Sequence, residues 1–155
     1  MKWLAVDYGD SRTGLAGCDE SETVTSPITP QIEEKSMNKV AAAVVDAARA
    51  RQAAGLVCGL PKNMDGTEGK RAEKSRRFAQ RLADMAGVPV VMWDERRTTV
   101  SAAAILADND TFGQKRKEKL DSVSAAVILE SFLNWRAHHP GETAPEQLMP
   151  RQEQA

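Results

Sequence analysis

The chain has 155 residues, and its 21 Lys and Arg against 22 Asp and Glu leave a net charge of −1. That length suits one domain with a real core, and near-neutrality argues against a protein held on nucleic acid by bulk positive charge, though not against charge segregated on its surface. Hydrophobic residues make up 41% and aromatics only 5%, so a core of Ala, Val, Leu and Ile is expected, which favours helices packed on a sheet over an aromatic-rich β-sandwich.

Residues 2–8 read as a buried strand ending at Gly9, and 13–19 as a second strand joined to it by a tight turn. A third, weaker strand fits 22–29, between Pro27 and Pro30. Strands this close in sequence connect as hairpins and so run antiparallel. Residues 36–53 are Ala-rich with Val40, Val44 and Ala47/Ala48 at helical spacing; 55–60 form a short apolar run suited to a buried strand. Residues 70–86 carry an apolar stripe through Phe78, Ala79, Leu82 and Met85, stopped by Gly87. The β-branched run at 88–93 is the next strand, 98–107 a short helix, 108–118 a polar mobile loop, and 119–138 a long helix apolar on most sides. The order is β-β-β-α-β-α-β-α-α. It predicts an α/β fold with a mixed five-stranded sheet, three antiparallel strands and then two parallel ones, flanked by helices. The domain is expected over 1–139, with a Pro-, Glu- and Gln-rich disordered tail over 140–155.

Cys18 and Cys58 stand alone in apolar stretches, without zinc spacing, and read as free buried thiols in a reducing compartment. No signal peptide or membrane-spanning run is evident, so a soluble cytoplasmic location is expected.

Four acids sit where acids are not usually wanted. Asp7 ends the first strand, Asp94 and Glu95 end the fifth, and Asp121 opens the most apolar helix. Parallel strands would bring Asp7 and Glu95 to one carboxyl edge, where open α/β sheets bind ligands. Gathered carboxylates repel, and a divalent cation removes that cost; hard oxygen ligands without His or paired Cys suggest Mg²⁺ or Mn²⁺. Each acid alone also suits a plainer role. Asp7 can cap a turn, Asp94 or Glu95 can pair with Arg96 or Arg97, and Asp121 can be an ordinary first-turn acid. The set, rather than any member, points to a site.

The turn around Gly9 lets another backbone approach closely, and Arg12 offers a phosphate contact. The loop at 59–69 leaves a strand edge and enters a helix amino terminus, a natural phosphate position, though it lacks P-loop order. Between 62 and 81 seven cations face three acids, a net of +4, and Lys70, Lys74, Arg77 and Arg81 share one helix face. A second run, Lys115, Arg116, Lys117 and Lys119 against Glu118, is net +3. Such runs are commonly solvated helix faces; beside a candidate site they are also what a phosphodiester substrate needs.

The segments AVDYGDSRTGLA at 5–16, GLPKNMDGTEG at 59–69, DERRTTVSA at 94–102 and KLDSVSAAVILESFL at 119–133 resemble the YqgF (RuvX) family. The likeness covers about residues 2–135, with the second motif the most specific. Arg97 and Ser101 depart from the usual pattern. The resemblance implies an RNase H-like fold. It also implies a nuclease, since members are described as pre-16S rRNA nucleases and were earlier proposed as Holliday-junction resolvases. It makes Asp7, Glu95 and Asp121 the catalytic, metal-binding acids of a two-ion Mg²⁺ or Mn²⁺ site. The accompanying expectation for nucleic-acid contacts is Gly9, Arg12, Lys62, Asn63 and Arg96, with the row Lys70, Lys74, Arg77 and Arg81. The partner would be structured precursor rRNA or branched DNA, with no membrane, and the protein a monomer or homodimer. A non-catalytic RNA-binding assembly factor is the competing reading. An actin-like ATPase would need a second domain of the same kind.

Overall fold

The computed structural model describes residues 1–98 and 114–151, with side chains outside the description for 114–121. Three strands open the chain, β1 (Trp3–Asp7), β2 (Arg12–Cys18) and β3 (Thr25–Glu33). Then come α1 (Met37–Ala50), β4 (Gly55–Leu60), α2 (Lys70–Ala86) and β5 (Val90–Asp94), followed by a 3₁₀ turn at Glu95–Arg97. Helix α3 (Gln114–His138) and a two-residue strand β6 (Gln147–Leu148) complete the order. The sheet runs β3-β2-β1-β4-β5-β6. Strands β1, β4 and β5 are parallel; β2, β3 and β6 pair antiparallel.

Two cores flank the sheet. Leu4, Val6, Leu15, Leu56, Cys58, Leu60, Val90 and Met92 pack under α1 and α2. Trp3, Ala5, Ala16, Val57, Val91 and Trp93 pack under α3. Helix α1 buries Val40, Val44 and Ala48 at four-residue spacing and is capped by Ser36, whose side chain accepts from the Lys39 amide. Helix α2 buries Ala72, Phe78, Ala79, Leu82 and Ala83, and stops at Gly87 in the left-handed conformation at φ 68°. Phe78 stacks on Tyr8 with centroids 4.0 Å apart. On the other side Phe132 meets Trp3 and Trp93 edge-on, at 4.8 and 5.4 Å.

The mixed sheet with three antiparallel strands leading into parallel ones agrees with the sequence reading, with corrections. The sheet has six strands, not five. The sixth lies in the segment read as a tail: Val90 and Val91 pair with Leu148 and Gln147, and the Met92 amide donates to the Glu146 carbonyl. Strand β3 runs to Glu33 and includes Pro27 and Pro30, because it is an edge strand with one partner and a bulge opposite Thr13 to Leu15. Residues 114–118, read as loop, are helical, while 99–113, which contain nearly all of the helix expected over 98–107, lie outside the described residues. Cys18 and Cys58 are free and buried. Among the described residues no helix is long and apolar enough to cross a membrane.

Candidate active site

Strand alternation decides which acids meet. On β1, Leu4, Val6 and Tyr8 turn toward α1 and α2, while Trp3 and Ala5 turn toward α3, so Asp7 also faces the α3 side. On β4, Leu56, Cys58 and Leu60 face α1 and α2, leaving Val57 and Gly59 toward α3. Val6 pairs with Cys58 and Leu60 with Asp94, so Asp7, Gly59 and the end of β5 lie side by side at one carboxyl edge. A Cβ on Gly59 would stand 2.5 Å from Glu95 Oε1 and 2.8 Å from Ile128 Cδ1 of α3. Gly59 therefore provides the space that the Glu95 carboxylate occupies. Asp7 ends β1 on one side of it and Glu95 follows β5 on the other, the three neighbouring strands being spaced about 4.8 Å apart.

Burial pushes the Glu95 carboxyl above its ordinary pKa; the Arg71 charge opposes the rise and the Asp94 charge adds to it. Among the described residues that carboxylate has no hydrogen-bond partner. Its neighbour Asp94 is the opposite case. By strand alternation it faces the α2 side, and it caps the 3₁₀ turn by accepting from the Arg96 amide at 2.9 Å. Its oxygens also accept from Arg96 Nε at 3.1 Å and Nη2 at 2.7 Å. The hydrogen bonds from the Arg96 side chain hold Asp94 below its ordinary pKa. Arg96 also donates to the Met64 carbonyl at 3.4 Å, tying the turn to the 61–69 loop. Of the plainer roles foreseen for the acids, Asp94 takes one and Glu95 does not.

Among the described residues the ligands this edge offers are the carboxylate oxygens of Asp7 and Glu95. The Cys58 thiol is pushed up to about 12 by its burial and by Asp7, so it offers no thiolate. Carboxylates of this kind, one of them partly desolvated, suit Mg²⁺ or Mn²⁺ better than zinc. The third expected acid, Asp121, lies on α3 one residue before Ser122, whose hydroxyl donates to the Ile28 carbonyl on β3 at 2.9 Å. The side chain of Asp121 is outside the description.

The expected substrate contacts divide. Gly9 sits in the β1–β2 turn, where a Cβ would overlap the Arg12 carbonyl, and Arg12 is exposed at the start of β2. The 61–69 loop is held by its own bonds. Asn63 Nδ2 donates to Thr67 Oγ1 at 2.9 Å, and Asp65 Oδ1 accepts from the Thr67 amide at 2.9 Å. Lys62 lies 3.9 Å from Glu68, which Arg76 also binds. Along α2, Lys70 is exposed in the first turn, Lys74 pairs with Asp10 at 2.7 Å, Arg77 is exposed, and Arg81 donates to Asn38. The row therefore starts at the acid edge and leaves it; at 1.5 Å per residue Arg81 stands about 16 Å along the axis from Lys70. Two residues escaped the sequence reading. Gly59 was visible only as part of a loop motif. Arg71 lies off the Lys70–Lys74–Arg77–Arg81 face, yet its charge reaches both Glu95 and Asp10.

A family model described as "RuvX: Holliday junction resolvase" matches residues 1–135. A Ruegeria pomeroyi protein named "Putative pre-16S rRNA nuclease" is 39% identical over 83% of this chain and 83% of its own length. A Myxococcus xanthus protein of the same name is 38% identical over 92% and 93%. Among solved structures, RuvC of Thermus thermophilus in complex with a Holliday junction superposes with a TM-score of 0.60 at 12% identity, over 87% of this chain and 96% of that one. That likeness bears out the RNase H-like architecture. With its family model matched from the first strand to the last long helix and curated relatives near 40% identity, the chain belongs to the RuvX family.

Proposed function

We propose that this chain is a divalent-metal-dependent nuclease that hydrolyses phosphodiester bonds in processing the 5′ end of precursor 16S rRNA. The observation that carries this reading is the placement of Asp7 and Glu95 on either side of Gly59, on one side of the carboxyl edge. The names of the family's curated members support the substrate. Asp7 and Glu95 would hold the ions, with Asp121 as the third acid. Bound there, Mg²⁺ or Mn²⁺ supplies Lewis acidity for activating water and for the leaving oxygen.

The chain's own residues do the rest. Burial at Glu95 favours pairing with a cation over remaining as a lone charge. Arg71 contributes positive charge at the same edge, and Arg12, Lys62, Asn63 and Lys70 border the path a phosphate backbone would take. Arg96 serves this reading indirectly, by holding the loop to the 3₁₀ turn. The family description favours a second reading, resolution of a four-way DNA junction, which would need a dimer to cut two strands symmetrically.

The test is cleavage of a precursor-16S fragment and of a four-way DNA junction, each with Mg²⁺, Mn²⁺ or EDTA. The proposal expects metal-dependent cleavage of the RNA, falling about a hundredfold or more in Asp7→Asn, as loss of several kcal/mol of metal assistance would give. Preferential cutting of the junction would move the assignment to the resolvase. Binding that persists in EDTA with no cleavage under any condition would make the protein an RNA-binding assembly factor. An Asp7→Asn protein that cleaves at the wild-type rate would overturn the site.

A further inference from the structure

Among the described residues three buried side-chain polar atoms lack a hydrogen-bond partner: Trp3 Nε1, and both amide atoms of Gln31. Trp3 lies at the opposite end of β1 from Asp7. Gln31 lies at the acid edge and is only 6% exposed. Its orientation follows from β3. Ile28 and Ile32 pack against the core under α1 and α2, and Ile32 pairs with Thr13, so Gln31 turns toward the α3 side. Between the pairs Ile28–Leu15 and Ile32–Thr13, β3 places three residues against Gly14 alone. Gly14 in turn pairs with Asp7. One side of the edge therefore carries Gln31, Gly14, Asp7, Gly59 and Glu95 in lateral order. At normal strand spacing Gln31 is on the order of 10 Å from Asp7, with a residue that has no side chain between them.

A buried amide with neither its oxygen nor its nitrogen paired is a standing cost to folding, relieved when a ligand brings the missing donor and acceptor. We infer that Gln31 binds a ribose 2′-hydroxyl of the RNA strand, next to the phosphate that cations at Asp7 and Glu95 would hold, and so makes the edge selective for RNA over DNA. This rests on the nucleic-acid reading of the edge given above. The amide presents an acceptor and two donors, and a 2′-hydroxyl is both donor and acceptor. A phosphate oxygen would pair the NH₂ group and leave the amide oxygen unmet; a divalent cation would do the reverse. Gln31 stands in the same lateral row as the acids.

The test compares wild type with Gln31→Leu, which keeps the volume and removes the amide. Fluorescence anisotropy with Ca²⁺ in place of Mg²⁺ reads binding of a labelled RNA oligomer from the precursor-16S 5′ region and of its all-2′-deoxy counterpart, and thermal melting reads stability. The variant is expected to melt at or above the wild-type temperature, to lose about tenfold in RNA affinity, and to bind the deoxy oligomer as wild type does. Unchanged RNA affinity, or equal loss on both oligomers, overturns the inference while leaving the nuclease reading intact. So does a melting temperature several degrees lower, which would make the amide a structural group. Wild type that binds neither oligomer overturns the nucleic-acid reading of the edge and this inference with it.

Discussion

Asp94 and Glu95 are adjacent acids at the end of one strand, and they lie on opposite sides of it. On the α2 side Asp94 is neutralised by Arg96 and caps the turn. On the α3 side Glu95 is drawn into a partly desolvated space over a glycine, with Asp7 on the far side of that glycine and no hydrogen bond to its carboxylate among the described residues. The difference teaches that strand alternation sorts a structural acid from a site acid. The side that satisfies its charge internally stabilises the turn, whereas on the other side the Glu95 carboxylate has no hydrogen bond among the described residues, as the proposed cation site requires.

The largest effect should come from separating the two. Glu95→Gln is expected to reduce metal-dependent cleavage about a hundredfold or more, without lowering the melting temperature, because the neutral amide escapes the desolvation cost that raises the Glu95 pKa. Next is Gly59→Ala. Its Cβ would collide with Glu95 Oε1 and Ile128 Cδ1, so overpacking of about 1–3 kcal/mol is expected. Displacement of the carboxylate by an ångström or so would add a loss in rate of up to about a hundredfold. A rate within twofold of wild type would show that Glu95 needs no defined position.

A smaller effect is expected at Asp94. Asp94→Asn keeps an acceptor for the Arg96 amide and should leave activity within about tenfold of wild type. Asp94→Ala loses the cap as well, and should cost about 1 kcal/mol, seen as a melting point roughly 2–4 °C lower. Smallest is the effect of releasing the carboxyl-terminal strap, where Arg151 binds Asp84 with Nη2 2.6 Å from Oδ2. The hydrogen bonds from Arg151 hold the Asp84 pKa down to about 2. A depressed carboxylate contributes stability above its ordinary pKa and loses it as pH falls through the folded value. The protection of the β5–β6 amides against hydrogen exchange, relative to the unfolded chain at the same pH, should therefore fall between about pH 4 and pH 2, and Arg151→Ala should lower it at neutral pH with cleavage unchanged.

Much of this architecture was legible from local pattern. Strand β4 and helix α2 have the expected bounds because Gly and Pro bracket one and an apolar stripe ending at Gly87 defines the other. What escaped was held by distant partners. Strand β6 has no apolar pattern of its own and exists through backbone pairing to Val90 and Val91 and the Arg76–Glu146 ion pair. The first turns of α3 are too polar and charged to signal a helix. At the site, Asp7 and Glu95 stood out as acids after apolar runs, but only register shows that Gly59 lies between them. Arg71 was hidden by its place off the basic helical row, and Gln31 by a proline-rich edge strand whose inward face no alternation rule predicts across a bulge.

The most direct test of the two-sided edge is a calorimetric titration of Mn²⁺ into wild type, Glu95→Gln and Asp94→Asn, with no substrate present. Binding lost in Glu95→Gln and retained in Asp94→Asn is the predicted result. Binding that survives in Glu95→Gln, or disappears only in Asp94→Asn, would contradict the account.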